Sequence, residues 1–202
     1  MSITLIIIAF TVLISYMGFQ NHEVIVKCKH WPYEEQRSRE FYRWVTAGFV
    51  HADWLHLGVN MFVLWSFGTM VEQYFMLEFG FGRTFFLVFY ILAIVFAGLP
   101  GYQQHKDNPS FASIGASGAV SAVTFASILF SPTSKIYFYA AIPVQAWIFG
   151  ILYLAYESYQ GRRGGTNIDH AAHFWGAIFG LTLPAMLKPS LIQEFLQAII
   201  GG

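Results

Sequence analysis

Residues Phe111 to Phe130 read FASIGASGAVSAVTFASILF, an uncharged run in which glycine, alanine and serine fill more than half of the positions. Its length is close to the ~20 residues that cross a bilayer core as a helix. Small side chains let helix backbones approach closely when no hydrophobic force separates protein from lipid. The stretch therefore reads as a central membrane helix, and the rest of the chain is organised around it.

On either side lie five more apolar stretches: Ile3 to Phe19, Trp54 to Val71, Thr84 to Leu99, Ile136 to Tyr156 and His170 to Leu187. The six predict an all-α polytopic membrane protein, a six transmembrane helix bundle forming one domain over residues 1–202. Hydrocarbon satisfies no backbone groups, so spanning segments of this length are helical, and the alternation of a membrane barrel is missing. Composition agrees, with 56% hydrophobic, 19% aromatic and only 11% charged residues. The first stretch lacks the positive start of a secretory signal and reads as a retained span. The expected location is integral and multi-pass, in the inner membrane if the source is bacterial.

Acids and bases cancel at 11 each, so no basic surface points to nucleic acid. The single cysteine, Cys28, excludes an internal disulfide framework and any CxxC metal or redox site. With the amino terminus inside, inner segments hold Arg83, Lys135 and Lys188 and outer loops hold the other eight basic residues. The positive-inside count favours the opposite orientation. Residues 20–53 mix aromatic and charged side chains in a pattern suited to the membrane interface. The glycine-bearing loop from Arg162 to Asn167, with the adjacent end of the fifth span, is a candidate gate.

Polar groups inside the spans are few: His56 and Asn60 in the second, Ser117 in the fourth, His173 in the sixth. Even-numbered helices of an up-down bundle all begin at one membrane face, so these side chains share a level. Gly176 and Gly180 give the sixth span a small face to match the fourth. That contact brings His173 toward Ser117, and a serine hydroxyl needs such a base to act as a nucleophile. His56 and Asn60 lie on one helical face by i,i+4 spacing and, with the Ser117 amide, are candidate donors to an oxyanion.

These residues resemble the rhomboid family of intramembrane serine proteases along essentially the whole chain. Tyr42-Arg43 resembles its Trp-Arg pair, and His51 with His56-Leu-Gly-Val-Asn60 its second-helix histidines and asparagine. Glu72 stands at the expected helix end. Gly115-Ala-Ser117-Gly118 resembles the nucleophile motif, and Ala172-His173-Phe-Trp-Gly176 with Gly180 the sixth-helix motif. The resemblance implies a Ser117–His173 dyad without a third acid, with no cofactor, cutting transmembrane or membrane-proximal bonds of membrane protein substrates. Many bacterial members carry tyrosine four residues after the nucleophile, where this chain has Ser121. His51 is expected to order the first loop, Glu72 to partner a basic side chain, and His170 to lie at the interface.

Two other functions compete with this one. In an ion or metal transporter, the histidines and Asp169 would converge on a cation. No HExxH is present, however, and Asp169, Glu72 and Glu157 sit at span ends rather than midplane, so no metal is expected. A non-catalytic relative that binds transmembrane helices typically lacks the serine or the histidine, and both are present here.

Overall fold

The computed structural model of the chain describes residues 2–80, 82–138, 141–166 and 168–201. Met1 and Gly202, the ends of the expected domain, Tyr139 and Ala140 in the expected fifth span, and Asn167 at the end of the candidate gate lie outside the described residues.

The helices are α1 (Ile3–Gln20), α2 (His22–Cys28), α3 (Pro32–Ser38), α4 (Arg43–Thr46), α5 (Trp54–Glu78), α6 (Thr84–His105), α7 (Ser117–Phe130), α8 (Ala146–Arg163), α9 (His170–Leu187) and α10 (Ser190–Ile200). Among the described residues, α1, α5 and α6 are long and apolar enough to cross a membrane. The pair α9 and α10, bent by 113° at their junction, makes a fourth if taken as one span. Two of the expected spans begin differently from their sequence reading. In the fourth, the helix starts only at Ser117, because Pro109 and a left-handed Gly115 (φ +119°) keep the preceding residues extended. In the fifth, the first residues form an antiparallel ribbon of β1 (Lys135–Phe138) and β2 (Ile142–Gln145). Pro143 is at odds with a helix interior there, and α8 begins three residues later. The chain is thus mostly helical but not all-α.

Helix α7 is buried on every side from Gly118 to Leu129. A methyl placed on Gly176 of α9 would overlap the Gly118 carbonyl oxygen, and one on Gly180 would overlap that of Ala122. Backbone therefore packs on backbone between α7 and α9, which the small residues of both helices allow. On the other flank, α1 presents Thr4, Ile7, Thr11, Ser15 and Gly18, a stripe at three- and four-residue spacing, to the interior. An aromatic core of Phe75, Phe86 and Phe89, with Tyr90 beside it, joins α5 and α6.

The long first loop is a folded layer rather than a loose connection. The fully buried Glu35 accepts from the Trp31 amide (2.7 Å), His30 Nδ1 (2.8 Å) and Trp44 Nε1 (2.8 Å). Arg43, also buried, donates to Glu40 (2.6 Å) and to the carbonyls of Val26 (2.6 Å) and Lys29 (3.2 Å). His30 and Ser113 exchange backbone hydrogen bonds (3.0 and 2.9 Å), which ties this layer to the segment leading into α7. The loop thereby fixes where Ser117 emerges.

Candidate active site

Ser117 is the first residue of α7, where the leading backbone amides have no intrahelical acceptor and the helix dipole favours negative charge. The turn before it is held from both sides. Gly115 N–H donates to the Ala47 carbonyl (2.9 Å), and a Cβ on Gly115 would come within 2.7 Å of His56 Cε1. The Ala116 amide donates to His51 Nε2 (3.3 Å). With Nε2 accepting, His51 carries its proton on Nδ1 and donates to Ser15 Oγ (2.9 Å), whose own hydroxyl donates to the Phe49 carbonyl (3.0 Å). Burial, with His56 nearby, pushes the His51 imidazole down to about 3, so it stays neutral. His51 thus ties the turn before Ser117 to α1.

Asp53 caps α5 by accepting from the His56 amide (2.8 Å) and sets the two polar residues of that helix. His56 Nδ1 accepts from the Ala52 amide (3.5 Å), which leaves the proton on Nε2, the atom lying against Gly115. Asn60 is buried and spends one amide hydrogen on the His56 carbonyl (2.9 Å), keeping the second free.

On α9, Asp169 caps the helix through the Ala172 amide (2.9 Å), and His173 follows in the first turn. Ser117, Asn60 and His173 line a single cavity of about 570 Å³ between α5, α7 and α8, whose other walls are largely apolar. His56 stands above the Gly115 turn rather than among the residues lining this cavity.

The site also holds a carboxylate, where the family resemblance implies a dyad without a third acid. Glu157 of α8 is buried and takes one imidazole on each oxygen: His173 Nδ1 at 3.2 Å and His170 Nδ1 at 2.5 Å. His170 is therefore buried and not interfacial, and its Nε2 meets the Thr166 hydroxyl (2.9 Å), tethering the expected gate loop. One turn before Glu157, the Tyr153 hydroxyl bonds Ser121 Oγ (2.7 Å), so α8 fills the space that a tyrosine on α7 would occupy. Glu157, His170 and His173 also place three metal-ligand atoms within 4.8 Å of one another, a set whose chemistry suits zinc. In the structure both imidazoles bond directly to the carboxylate.

Comparison with known proteins follows the same lines. Residues 38–190 match the model of the Rhomboid domain. The chain belongs to the rhomboid family. Among its relatives, RHOMBOID-like protein 12, mitochondrial, of Arabidopsis thaliana is 30% identical over 157 residues, covering 70% of this chain and 45% of the relative. Rhomboid protease GlpG of Haemophilus influenzae is 33% identical over 125 residues, covering 60% and 58%. Rhomboid protein 1, mitochondrial, of Saccharomyces cerevisiae is 29% identical over 144 residues, covering 68% and 39%. The chain spans about half the length of these curated relatives. Its apolar helices and its family make it an integral membrane protein.

The supporting residues named from sequence fall into two groups. Gly115, Gly118, Gly176, Gly180 and His51 surround the Ser117 turn and the α7–α9 contact, while Arg43 acts from the first loop. Glu72 lies apart, at the far end of α5. Its partners there are mainly the start of α1, with Arg83 Nε 3.9 Å away, because unpaired helix N-terminal amides attract a carboxylate more closely than a half-exposed guanidinium does.

Proposed function

We propose that the chain is an intramembrane serine endopeptidase, with α1 and α5 to α9 as six membrane-crossing elements of one domain over residues 1–202. The observation that carries the reading is the shared cavity of Ser117, Asn60 and His173, whose walls are otherwise largely apolar. Such a groove suits the unwound part of a transmembrane segment, with its side chains on the apolar walls and one peptide carbonyl at Ser117.

In this mechanism Ser117 Oγ attacks the carbonyl carbon while His173 Nε2 takes the hydroxyl proton. Nε2 is the free nitrogen, since Nδ1 faces Glu157. The negative oxygen is received by the Ser117 amide and the second amide hydrogen of Asn60, with the Nε2–H of His56, over the Gly115 turn and outside the cavity lining, as the third candidate donor. His173 then passes its proton to the departing amine, and water releases the acyl group by the reverse sequence. No step needs a cofactor. Relatives named a protease in Haemophilus influenzae and in Photorhabdus laumondii support this class of activity.

The test is labelling of detergent-purified protein by a fluorophosphonate. Covalent labelling that persists in chelator and disappears in Ser117→Ala and His173→Ala is expected. Folded wild-type protein that neither labels nor cuts a membrane-embedded peptide overturns the reading in favour of a non-catalytic binder. Labelling abolished by chelator overturns it in favour of metal-dependent chemistry.

A further inference from the structure

Glu157 is a carboxylate with only 4% of its surface exposed, inside an apolar helix pair. Burying an ionised carboxylate is costly unless each oxygen finds a donor. Here each oxygen has one, and both donors are histidines of a single helix, three residues apart and so on one face of α9.

The two histidines are not equivalent. His170 uses both ring nitrogens, Nδ1 on Glu157 and Nε2 on Thr166, and does not line the Ser117 cavity. It serves to hold the carboxylate. His173 uses Nδ1 on the same carboxylate and reaches the cavity that Ser117 lines. A carboxylate on Nδ1–H fixes the tautomer with the lone pair on Nε2, sets the plane of the ring, and stabilises the imidazolium formed during attack.

We propose that Glu157 is a positioning residue of the site, making it a Ser117–His173–Glu157 arrangement whose acid is supplied by α8 and clamped from behind by His170. The proposal rests on the protease reading. Because Glu157 belongs to α8 while His173 belongs to α9, the alignment of the base depends on the packing of these two helices. Tyr153, one turn earlier on α8 and bonded to Ser121 of α7, secures the same helix at the cavity wall.

The competing role for Glu157 is a strap that only joins α8 to α9 through His170. Fluorophosphonate labelling separates the two, because it gives a binding constant KI and a chemical rate kinact for Ser117. Glu157→Gln keeps the shape and one acceptor but loses the charge. It is expected to lower kinact by about 10²-fold or more while KI and the unfolding temperature stay near wild type. His170→Leu removes the strap and leaves the charged Glu157 on His173, so it should lower the unfolding temperature more than Glu157→Gln does while lowering kinact by much less.

If wild type labels and folded Glu157→Gln keeps its kinact, Glu157 is only a strap, and the protease reading stands without it. If kinact falls as far in His170→Leu as in Glu157→Gln, the effect is structural and the proposal also fails. Should Glu157→Gln not fold, the wild-type protein decides. With 15N-labelled histidine, a low-field Nδ1 proton that is lost in His173→Gln and kept in His170→Leu supports the pair. Its absence from the wild-type spectrum overturns it. A folded wild type that does not label overturns the protease reading and this proposal together.

Discussion

His51 accepts the amide hydrogen of Ala116 on Nε2 at 3.3 Å, joining the residues just before α5 to the turn before Ser117. That bond exists only while the ring is neutral, and burial holds the imidazole down to about 3, with His56 adding repulsion and Asp53 partly opposing it. In the unfolded chain the same ring takes a proton near pH 6.5. Between these values the unfolded state binds more protons, so stability rises with pH. It is fully present above about pH 6.5 and is lost as pH falls toward 3, by up to about 1.4 kcal/mol per unit. Thermal unfolding in detergent should show wild type losing more stability from pH 6.5 to 4.5 than His51→Gln does. Parallel profiles would remove His51 from this role.

Gly115→Ala should abolish labelling at Ser117. The position has φ +119°, which side-chain-bearing residues rarely adopt, and its new Cβ would lie 2.8 Å from His56 Nε2. Backbone strain of this kind costs about 1–3 kcal/mol before the displaced ring is counted. The control is Gly58→Ala on α5, where nothing lies within 4 Å of the added carbon. It should be neutral, or stabilising by up to about 1 kcal/mol from helix propensity. Equal labelling in both variants would contradict the proposed geometry of the turn.

Asn60→Ala is expected to lower kinact by about 10²-fold with KI little changed, the usual cost of one lost oxyanion donor. The prediction comes from the second amide hydrogen of Asn60, since the first is committed to the His56 carbonyl. An unchanged kinact would leave Asn60 as helix packing only.

Long apolar runs were the most legible part of the sequence. Helix α9 has the bounds read from it, and α1 and α6 begin at the residues expected. The ribbon of β1 and β2 was not legible, because a short run such as Ile136-Tyr137-Phe138 is as apolar in a strand as in a helix. At the site, the rule that even-numbered spans begin at one face points to a common level for His56, Asn60, Ser117 and His173, of which the last three line one cavity and His56 stands over the Gly115 turn. The same rule hid Glu157. The end of α8 and the start of α9 are joined by a short loop, so the last turns of α8 arrive beside the first turn of α9, and a carboxylate read as a span-end charge becomes a neighbour of His173. A buried acid in an apolar helix was the available signal, and its partners became clear only from the fold.

Glu72 offers the complementary test, a buried carboxylate that should matter to the fold and not to the chemistry. Its oxygens accept from Ser2 Oγ (2.6 Å), the Ile3 amide (2.9 Å), and the amide (3.0 Å) and hydroxyl (2.9 Å) of Thr4. It therefore caps the amino end of α1 from the side of α5. Sixteen residues separate it from His56, about 24 Å along the helix at 1.5 Å per residue. Glu72→Ala leaves those donors unsatisfied, and each unsatisfied buried group costs about 1–3 kcal/mol. The variant should unfold at a clearly lower temperature, while the folded fraction labels at Ser117 with wild-type kinact. Glu72→Gln, which keeps an acceptor, should recover part of the stability. A loss of kinact without a loss of stability would mean that the docking of α1 reaches the nucleophile, and the chain from Ser15 through His51 to Ala116 would be its route.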